Sequence, residues 1–326
     1  MDKTNCVICN GSNKTKFLDN YKLEIEEDKK YFKDAKIYHC NDCDFSFVCP
    51  MPKEEDLNYF YKHVYRSLNR PPYWLTENFR DLRKHYLEDK NLNYLLYLTT
   101  LIDISKVENI YDFGAGYGDL GYALKKKFPK LNLFCTENDK HCKKILEERG
   151  YKNFENLEDI NKKFDLIITI HSLEHMSDIS IFSKFKEILK PNGLIFFEVP
   201  NCPKDYFDGR PYDSPHLLFY TKKSFEKIAS LNSFKILNFS FSSYSFNEDH
   251  KFQRESQNLY KKMNNSKFSL PYLKSKIKKI IPYSLINLRQ EFLKLKKIQN
   301  ETRVNWFANN TGDNCYIRGI FIKTKE

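Results

Sequence analysis

"YDFGAGYGDL", residues Tyr111–Leu120, sets three glycines at alternate positions behind Asp112. The apolar run ending at Phe113 reads as a strand, and Gly114, Gly116 and Gly118 separate it from a helix starting near Asp119. Glycine tolerates positive φ and lets the backbone approach a ligand closely. The helix N-terminus then offers N–H groups to a carboxylate or phosphate. Glu137 ends the next apolar run, near the ~20-residue offset at which an acidic side chain meets a ribose diol. A glycine loop alone is equally a tight turn, but strand, loop and placed acid together indicate a nucleoside ligand. Gly116 and Gly121 partly imitate a dinucleotide fingerprint, yet the dominant pattern is D-x-G-x-G-x-G.

Outward from the loop, "VENIYDF", "NLFCTE", "FDLIITI" and "GLIFFEV" alternate with helical runs such as "DLGYALKKKF" and "KHCKKILEERG". Strands alternating with helices imply right-handed crossovers and a parallel sheet. Further strands are expected at "FKILNFSFSS" and "CYIRGIFIKT". The chain divides into a cysteine-rich segment (1–50), a helical lid or linker (51–105), an α/β domain (106–244 and 313–326) and a helical insertion (245–312).

Bulk properties narrow the function classes. A hydrophobic fraction of 41% in 326 residues describes a globular protein. Apolar stretches such as 194–199 fall far short of the ~20 residues that span a bilayer. The start "MDKTNCVICN" has no apolar signal core, so a cytoplasmic location is expected. The net charge of +11 is concentrated: residues 272–298 hold Lys274, Lys276, Lys278, Lys279, Arg289, Lys294, Lys296 and Lys297 against Glu291. One basic element is not a nucleic-acid-coating surface, so no nucleic-acid partner is expected. The second half of that segment spaces Leu285, Leu288, Phe292 and Leu295 as an amphipathic helix. It reads as a cap with solvated lysines, or as a peripheral contact with a membrane or an anionic nucleotide-sugar.

Nine cysteines in a reducing compartment argue for metal or free thiols. Cys6-x-x-Cys9 and Cys40-x-x-Cys43 form two knuckles, and four thiolates satisfy tetrahedral zinc. Such a site is structural, since four protein ligands leave no position for a reactant. The alternative is four unrelated thiols. Cys49 reads as a buried thiol.

At this point the chain resembles the class I S-adenosylmethionine-dependent methyltransferases. "DFGAGYG" is similar to their first motif and Glu137 to their second. "FDLIITIHSLEHMSD" and "FKEILKPNGLIFFEVPN" are similar to their fourth strand, following helix, Lys-Pro-Asn-Gly turn and fifth strand. The resemblance implies a Rossmann-like, mostly parallel seven-stranded sheet. It also implies that Gly114, Gly116 and Gly118 line the methionine moiety, Asp112 sits near its amino group and Glu137 holds the ribose. His171 would face the cofactor, and Glu155–Ile160 would pass near the adenine. "CVIC", "CNDCDFSFVCPMP" and "LNYFYKHVY" further resemble a bacterial subgroup with an N-terminal zinc ribbon, many of which act on sugars. That subgroup makes Tyr59, Tyr61 and Tyr65 candidate site residues; helix packing accounts for them equally well.

A hydroxyl acceptor needs its proton removed, and histidine is the usual base near neutral pH. His175 in "SLEHM" and His216 in "DSPHLLFYT" are placed for that by analogy, with Glu174 as a third candidate. Pocket shaping or helix capping is the structural alternative for Glu174 and His175, and loop packing for His216. Sugar C-methyltransferases of the subgroup carry His-Glu-His where this chain has Ser214-Pro215-His216, which favours O-methylation. "NRPPY" (69–73) mimics an amino-group methyltransferase motif in the wrong place, and Cys202 lacks the context of a cytosine-methylating nucleophile.

The expected protein is therefore an S-adenosylmethionine-dependent methyltransferase with structural zinc, O-methylating a sugar of a nucleotide-sugar or surface-polysaccharide precursor. A sugar C-methyltransferase, an RNA methyltransferase and a non-catalytic cofactor-fold binding module are the alternatives. The sequence does not set the oligomeric state.

Overall fold

The computed structural model describes residues 4–12, 15–23, 25–65, 91, 94–95, 97–208, 210, 212–242 and 316–324. The expected insertion (245–312), the basic segment (272–298) and "NRPPY" lie outside them.

The central sheet is built from β4 (Asn109–Phe113), β5 (Asn132–Thr136), β6 (Tyr151–Asn153), β7 (Phe164–Ile170), β8 (Leu189–Pro200), β10 (Phe234–Ser242) and β11 (Tyr316–Lys323). Its order is β10-β11-β8-β7-β4-β5-β6. The pairs from β8 through β6 are parallel, while β11 runs antiparallel to both β8 and β10. This is the mostly parallel, seven-stranded Rossmann-like sheet that was expected. Helices α3 (Asp119–Lys127), α4 (Lys140–Glu148), α5 (Ile181–Ile188) and α6 (Lys222–Leu231) alternate with the strands.

Successive strand residues point to opposite faces, and both faces are covered. Ile110, Leu166, Ile168, Phe196 and Ile320 join one buried cluster with Tyr94, Leu98, Leu120 and Leu124. Tyr111, Ile167, Ile195, Phe197 and Val199 join the other, with Phe182, Phe185, Phe225 and Ile228. That is why "FDLIITI" is a nearly unbroken apolar run.

The N-terminal segment forms a second sheet from β1 (Thr15–Asn20), β2 (Lys36–Cys40) and β3 (Phe45–Cys49). The short helix α1 (Lys29–Phe32) lies between β1 and β2, and α2 (Glu54–His63) follows β3. The fourth strand of this sheet comes from far along the chain: β9 (Leu218–Phe219) pairs antiparallel with β3. Phe45, Phe47 and Phe60 share one buried cluster with Phe219, Tyr220 and Phe225, so this module packs directly onto the central sheet.

Two local expectations are corrected. Lys190–Gly193 is not a free turn before the fifth strand. It is absorbed into β8 as an irregularity between the pairings Phe164↔Leu189 and Leu166↔Leu194, with Asn192 at φ 61°. The strands β6 and β9 were not foreseen, because three and two residues carry no readable periodicity.

The chain leaves β4 toward α3 and β5 on one side, while β7 lies on the other. This reversal opens a crevice at the carboxyl ends of β4 and β7, where open α/β sheets bind ligands.

Candidate active site

Gly114, Gly116 and Gly118 all hold positive φ, at 64°, 56° and 64°. Space adds a second constraint at two of them. A Cβ on Gly114 would strike the Ser172 side chain, and one on Gly118 would strike Leu146 and the Tyr151 ring. The loop is tied to β5 by Glu137. The Gly116 N–H donates to Glu137 Oε2 at 2.7 Å, and the Asp139 N–H donates to Oε1 at 2.9 Å.

Beneath the loop, the Tyr151 hydroxyl contacts the Gly118 carbonyl at 2.9 Å and Asp112 Oδ2 at 3.2 Å. Arg149 Nη1 donates to the Tyr117 carbonyl and to Asp119 Oδ1, each at 2.6 Å. Sequence reasoning missed both residues; "RGY" opens a strand too short to be read. Burial is the main force on Asp112, pushing its carboxyl up to about 7. The Tyr151 hydrogen bond opposes this, and the negative neighbours Glu137 and Asp119 reinforce it.

Across the crevice, His171 follows β7 at φ 52°. Its ring bridges two carboxylates, with Nδ1 3.3 Å from Glu174 Oε1 and Nε2 3.3 Å from Glu198 Oε1. Its edge meets Tyr316, with ring centroids 5.0 Å apart. Glu198 is completely buried and also takes hydrogen bonds from the Tyr94 hydroxyl and the Arg318 guanidinium. Arg318 is its cross-strand partner on β11 and sits 4.8 Å from the Tyr94 ring centroid. A buried charge persists only when paired and hydrogen-bonded, and this one has both. The sequence signal was present but unread: one acid in "LIFFEV" and one base in "YIRGIFI", each interrupting an apolar strand.

His175 and His216 meet edge to face with centroids 4.9 Å apart. Tyr61 Oη lies 3.2 Å from His175 Nδ1, and Tyr65 also packs on that ring. The main chain fixes the pair, since the Leu217 N–H donates to the Glu174 carbonyl at 2.7 Å and the Tyr21 hydroxyl to the His216 carbonyl at 2.7 Å. Burial opposes ionisation of Glu174. The His171 hydrogen bond and the adjacent imidazoles outweigh it, holding the carboxyl down at about 2. Burial drives His216 the other way for a base, down to about 3, with His175 adding to the effect. At neutral pH this site therefore holds an anionic Glu174 beside a neutral His216. Glu174 Oε2, His216 Nδ1 and Asp213 Oδ1 are buried without a hydrogen-bond partner, although Arg210 Nε stands 3.5 Å from Asp213 Oδ1 as an ion pair.

One cavity of about 920 Å³ joins these parts. Asp112, Gly114, Gly116, Glu137, His171, Glu174, His175 and His216 line it; Gly118 lies behind the loop wall. Residues 155–158 of the stretch expected near adenine line it as well. Of the three tyrosines, Tyr61 and Tyr65 face the cavity, whereas Tyr59 is 53% exposed and stacks on Tyr31. Arg210 and Asp213, which sequence reasoning passed over, line the same cavity. Cys202 is buried outside it, and burial pushes its thiol well above the ordinary range.

The sulfurs of Cys6, Cys9, Cys40 and Cys43 converge within 4.8 Å of one another. Cys9 Sγ and Cys40 Sγ are 3.8 Å apart. Both knuckles turn through left-handed residues, Asn10 at φ 56° and Asp44 at φ 49°, which short polar side chains tolerate. Cys49 is not in the cluster.

Residues 80–238 match the family model described as "Methyltransferase domain". No curated protein matches the chain. Among solved structures, coclaurine N-methyltransferase bound to N-methylheliamine and SAH is similar at 15% identity and a TM-score of 0.48, over 72% of each chain. The plantazolicin methyltransferase BpumL in complex with SAH is similar at 13% identity and a TM-score of 0.44, over 82% of this chain and 94% of that one. Among the described residues no helix is long and apolar enough to cross a membrane. The stretch 80–238 is thus a methyltransferase domain whose sheet carries the glycine loop and Glu137 at its switch point, and the protein is a methyltransferase.

Proposed function

We propose that the protein O-methylates a sugar hydroxyl of a nucleotide-sugar or surface-polysaccharide precursor. The observation that carries this reading is the set of buried acceptor atoms at the cavity wall: Glu174 Oε2, His216 Nδ1 and Asp213 Oδ1. A buried acceptor without a hydrogen bond costs about 1–3 kcal/mol, which a bound hydroxyl relieves. A sugar brings several hydroxyls; an apolar amine or an unsubstituted carbon acid does not. Arg210, stacked on Tyr206 at 3.9 Å from the ring centroid, supplies positive charge in the same cavity for an anionic leader such as a diphosphate.

In this reading Gly114 and Gly116 lie against the methionine end of the cofactor, Glu137 accepts from the ribose hydroxyls and Asp112 faces the ammonium. His171 and Glu198 form the wall behind the sulfonium. Methyl transfer is an in-line displacement, so the protein's principal task is alignment. The acceptor hydroxyl loses its proton beside the Glu174–His175–His216 cluster as the oxygen attacks. His175, 3.2 Å from the Tyr61 hydroxyl, and His216 stand together at the cavity wall. Incubation with labelled S-adenosylmethionine and a panel of nucleotide-sugars, RNA and cell-surface glycans tests the acceptor class. Label on a sugar supports it, and label on RNA replaces it.

Asp112 gives this assignment a pH signature. A carboxyl held at about 7 must lose its proton to face an ammonium group. S-adenosylmethionine affinity should therefore be flat above pH ~7 and fall by up to about tenfold per unit below it, as each binding event strips a proton. Calorimetry in buffers of different ionisation enthalpy reads both affinity and proton release. A flat profile between pH ~5 and ~8 removes Asp112 from the contact.

Cys6, Cys9, Cys40 and Cys43 would hold zinc as a structural ion in this reading, because their four sulfurs fit a closed tetrahedral set. Burial pushes the Cys6 thiol up to about 12 and the Cys43 thiol higher still, so metal uptake would release protons. Cys40→Ser should abolish the thiolate-held zinc and lower the unfolding midpoint, measured by elemental analysis and differential scanning calorimetry. Unchanged zinc content in that variant would exclude the cluster.

A further inference from the structure

We infer that Glu174, His175 and His216 form a second, non-cysteine metal site that holds a divalent transition-metal cation at the acceptor end of the cavity. One ligand atom from each of the three lies within 4.8 Å of the others. All three side chains line the cavity, so an ion among them faces the space an acceptor would occupy. Glu174 is 2% exposed, and its Oε2 has no hydrogen-bond partner; neither has His216 Nδ1. Two buried polar atoms without a hydrogen-bond partner, on side chains whose ligand atoms gather beside a third donor, are what a cation relieves. Two imidazoles and one carboxylate suit zinc, iron, nickel or cobalt rather than magnesium or calcium.

The set differs in kind from the cysteine cluster. Four thiolates close a site, whereas three protein ligands leave a position for a reactant. This deepens the proposed O-methylation and rests on it for the identity of the acceptor. The acceptor hydroxyl coordinates the cation, which lowers its pKa as it does that of bound water. Its proton passes to water, and the oxygen pair forms the O–CH₃ bond. The CH₃–S⁺ bond breaks with its electron pair going to sulfur, leaving a neutral thioether.

The test uses the full chain, stripped with a chelator and titrated with Co²⁺ alone. The cysteine cluster reports through thiolate-to-cobalt charge-transfer absorption. A second Co²⁺ bound with no added thiolate band, and with paramagnetically shifted imidazole N–H signals, is the expected result. Glu174→Gln, His175→Gln and His216→Gln should each lose that second Co²⁺ while keeping the thiolate-bound one and S-adenosylhomocysteine binding, which report an intact fold. Uptake at the cysteine cluster alone, or a second Co²⁺ that survives all three substitutions, overturns the site. Metal binding is read without turnover, so the two ideas fail separately. A second Co²⁺ with label found on RNA sinks the sugar reading only, and full-rate sugar O-methylation with the second site empty sinks the metal only.

Discussion

Glu137→Ala is expected to weaken S-adenosylmethionine binding by ~100-fold or more. Its two carboxylate oxygens accept from the Gly116 and Asp139 N–H groups, at 2.7 and 2.9 Å. The side chain thus shapes the glycine loop, in addition to the ribose contact proposed for it. Hydrogen bonds to a charged group contribute roughly 1.5–3 kcal/mol each, and losing two of them at the ribose corresponds to at least two decades in Kd. Truncation also frees the loop that Gly114 and Gly118 hold in left-handed backbone, so ordering it falls to the ligand. Isothermal calorimetry measures the loss. Glu137→Gln separates the two roles, since the amide keeps an acceptor for one backbone N–H but no charge. Wild-type affinity in the alanine variant would place the cofactor elsewhere.

His216→Ala is expected to cut turnover ~100-fold or more while cofactor affinity stays at the wild-type level. His216 lines the acceptor end of the cavity, against His175 and across from the glycine loop. On the proposed reading its removal takes away a group beside the acceptor hydroxyl and leaves Asp112, the glycine loop and Glu137 in place. The main-chain anchors, from the Tyr21 hydroxyl and to the Asp213 carbonyl, do not depend on the side chain. Turnover with labelled cofactor, beside calorimetry on the same preparation, separates chemistry from binding. Near-full activity would remove His216 from the mechanism.

The parts of this molecule that were legible in its sequence are those with a period or a punctuating residue. Four of the parallel strands announced themselves as apolar runs because both faces of the sheet are covered. The glycine loop was legible because three left-handed positions admit little else, and Glu137 because its distance along the chain is set by one βαβ turn. The cysteine knuckles were legible for the same local reason. What stayed hidden depends on chain segments distant in sequence. Tyr151 acts through a loop 33 residues away, since its hydroxyl reaches the Gly118 carbonyl. Glu198 and Arg318 are 120 residues apart and meet only once β11 has paired with β8. The histidine cluster was read as single candidates, but its chemistry comes from unpartnered buried atoms of Glu174 and His216 meeting in one place, which no spacing encodes.

The same distinction explains the domain layout. The cysteine-rich segment reads as a separate ribbon, yet β9 completes its sheet and the adjoining chain carries Asp213 and His216 into the cavity. The ribbon's attachment is therefore part of how the acceptor side is built. Lys22 illustrates this: its backbone N–H bonds Asp213 Oδ2 at 3.2 Å, and its carbonyl accepts from the Asp213 N–H at 2.9 Å.

On the proposed reading a methyl group passes from S-adenosylmethionine to a sugar oxygen. Supplying ¹³C-methyl S-adenosylmethionine with a nucleotide-sugar panel and recording the carbon–proton correlation spectrum of the product tests it most directly. A new methyl-ether resonance on a sugar carbinol is the expected result. A labelled methyl bonded to carbon, or no transfer to any sugar while another acceptor is labelled, would contradict it.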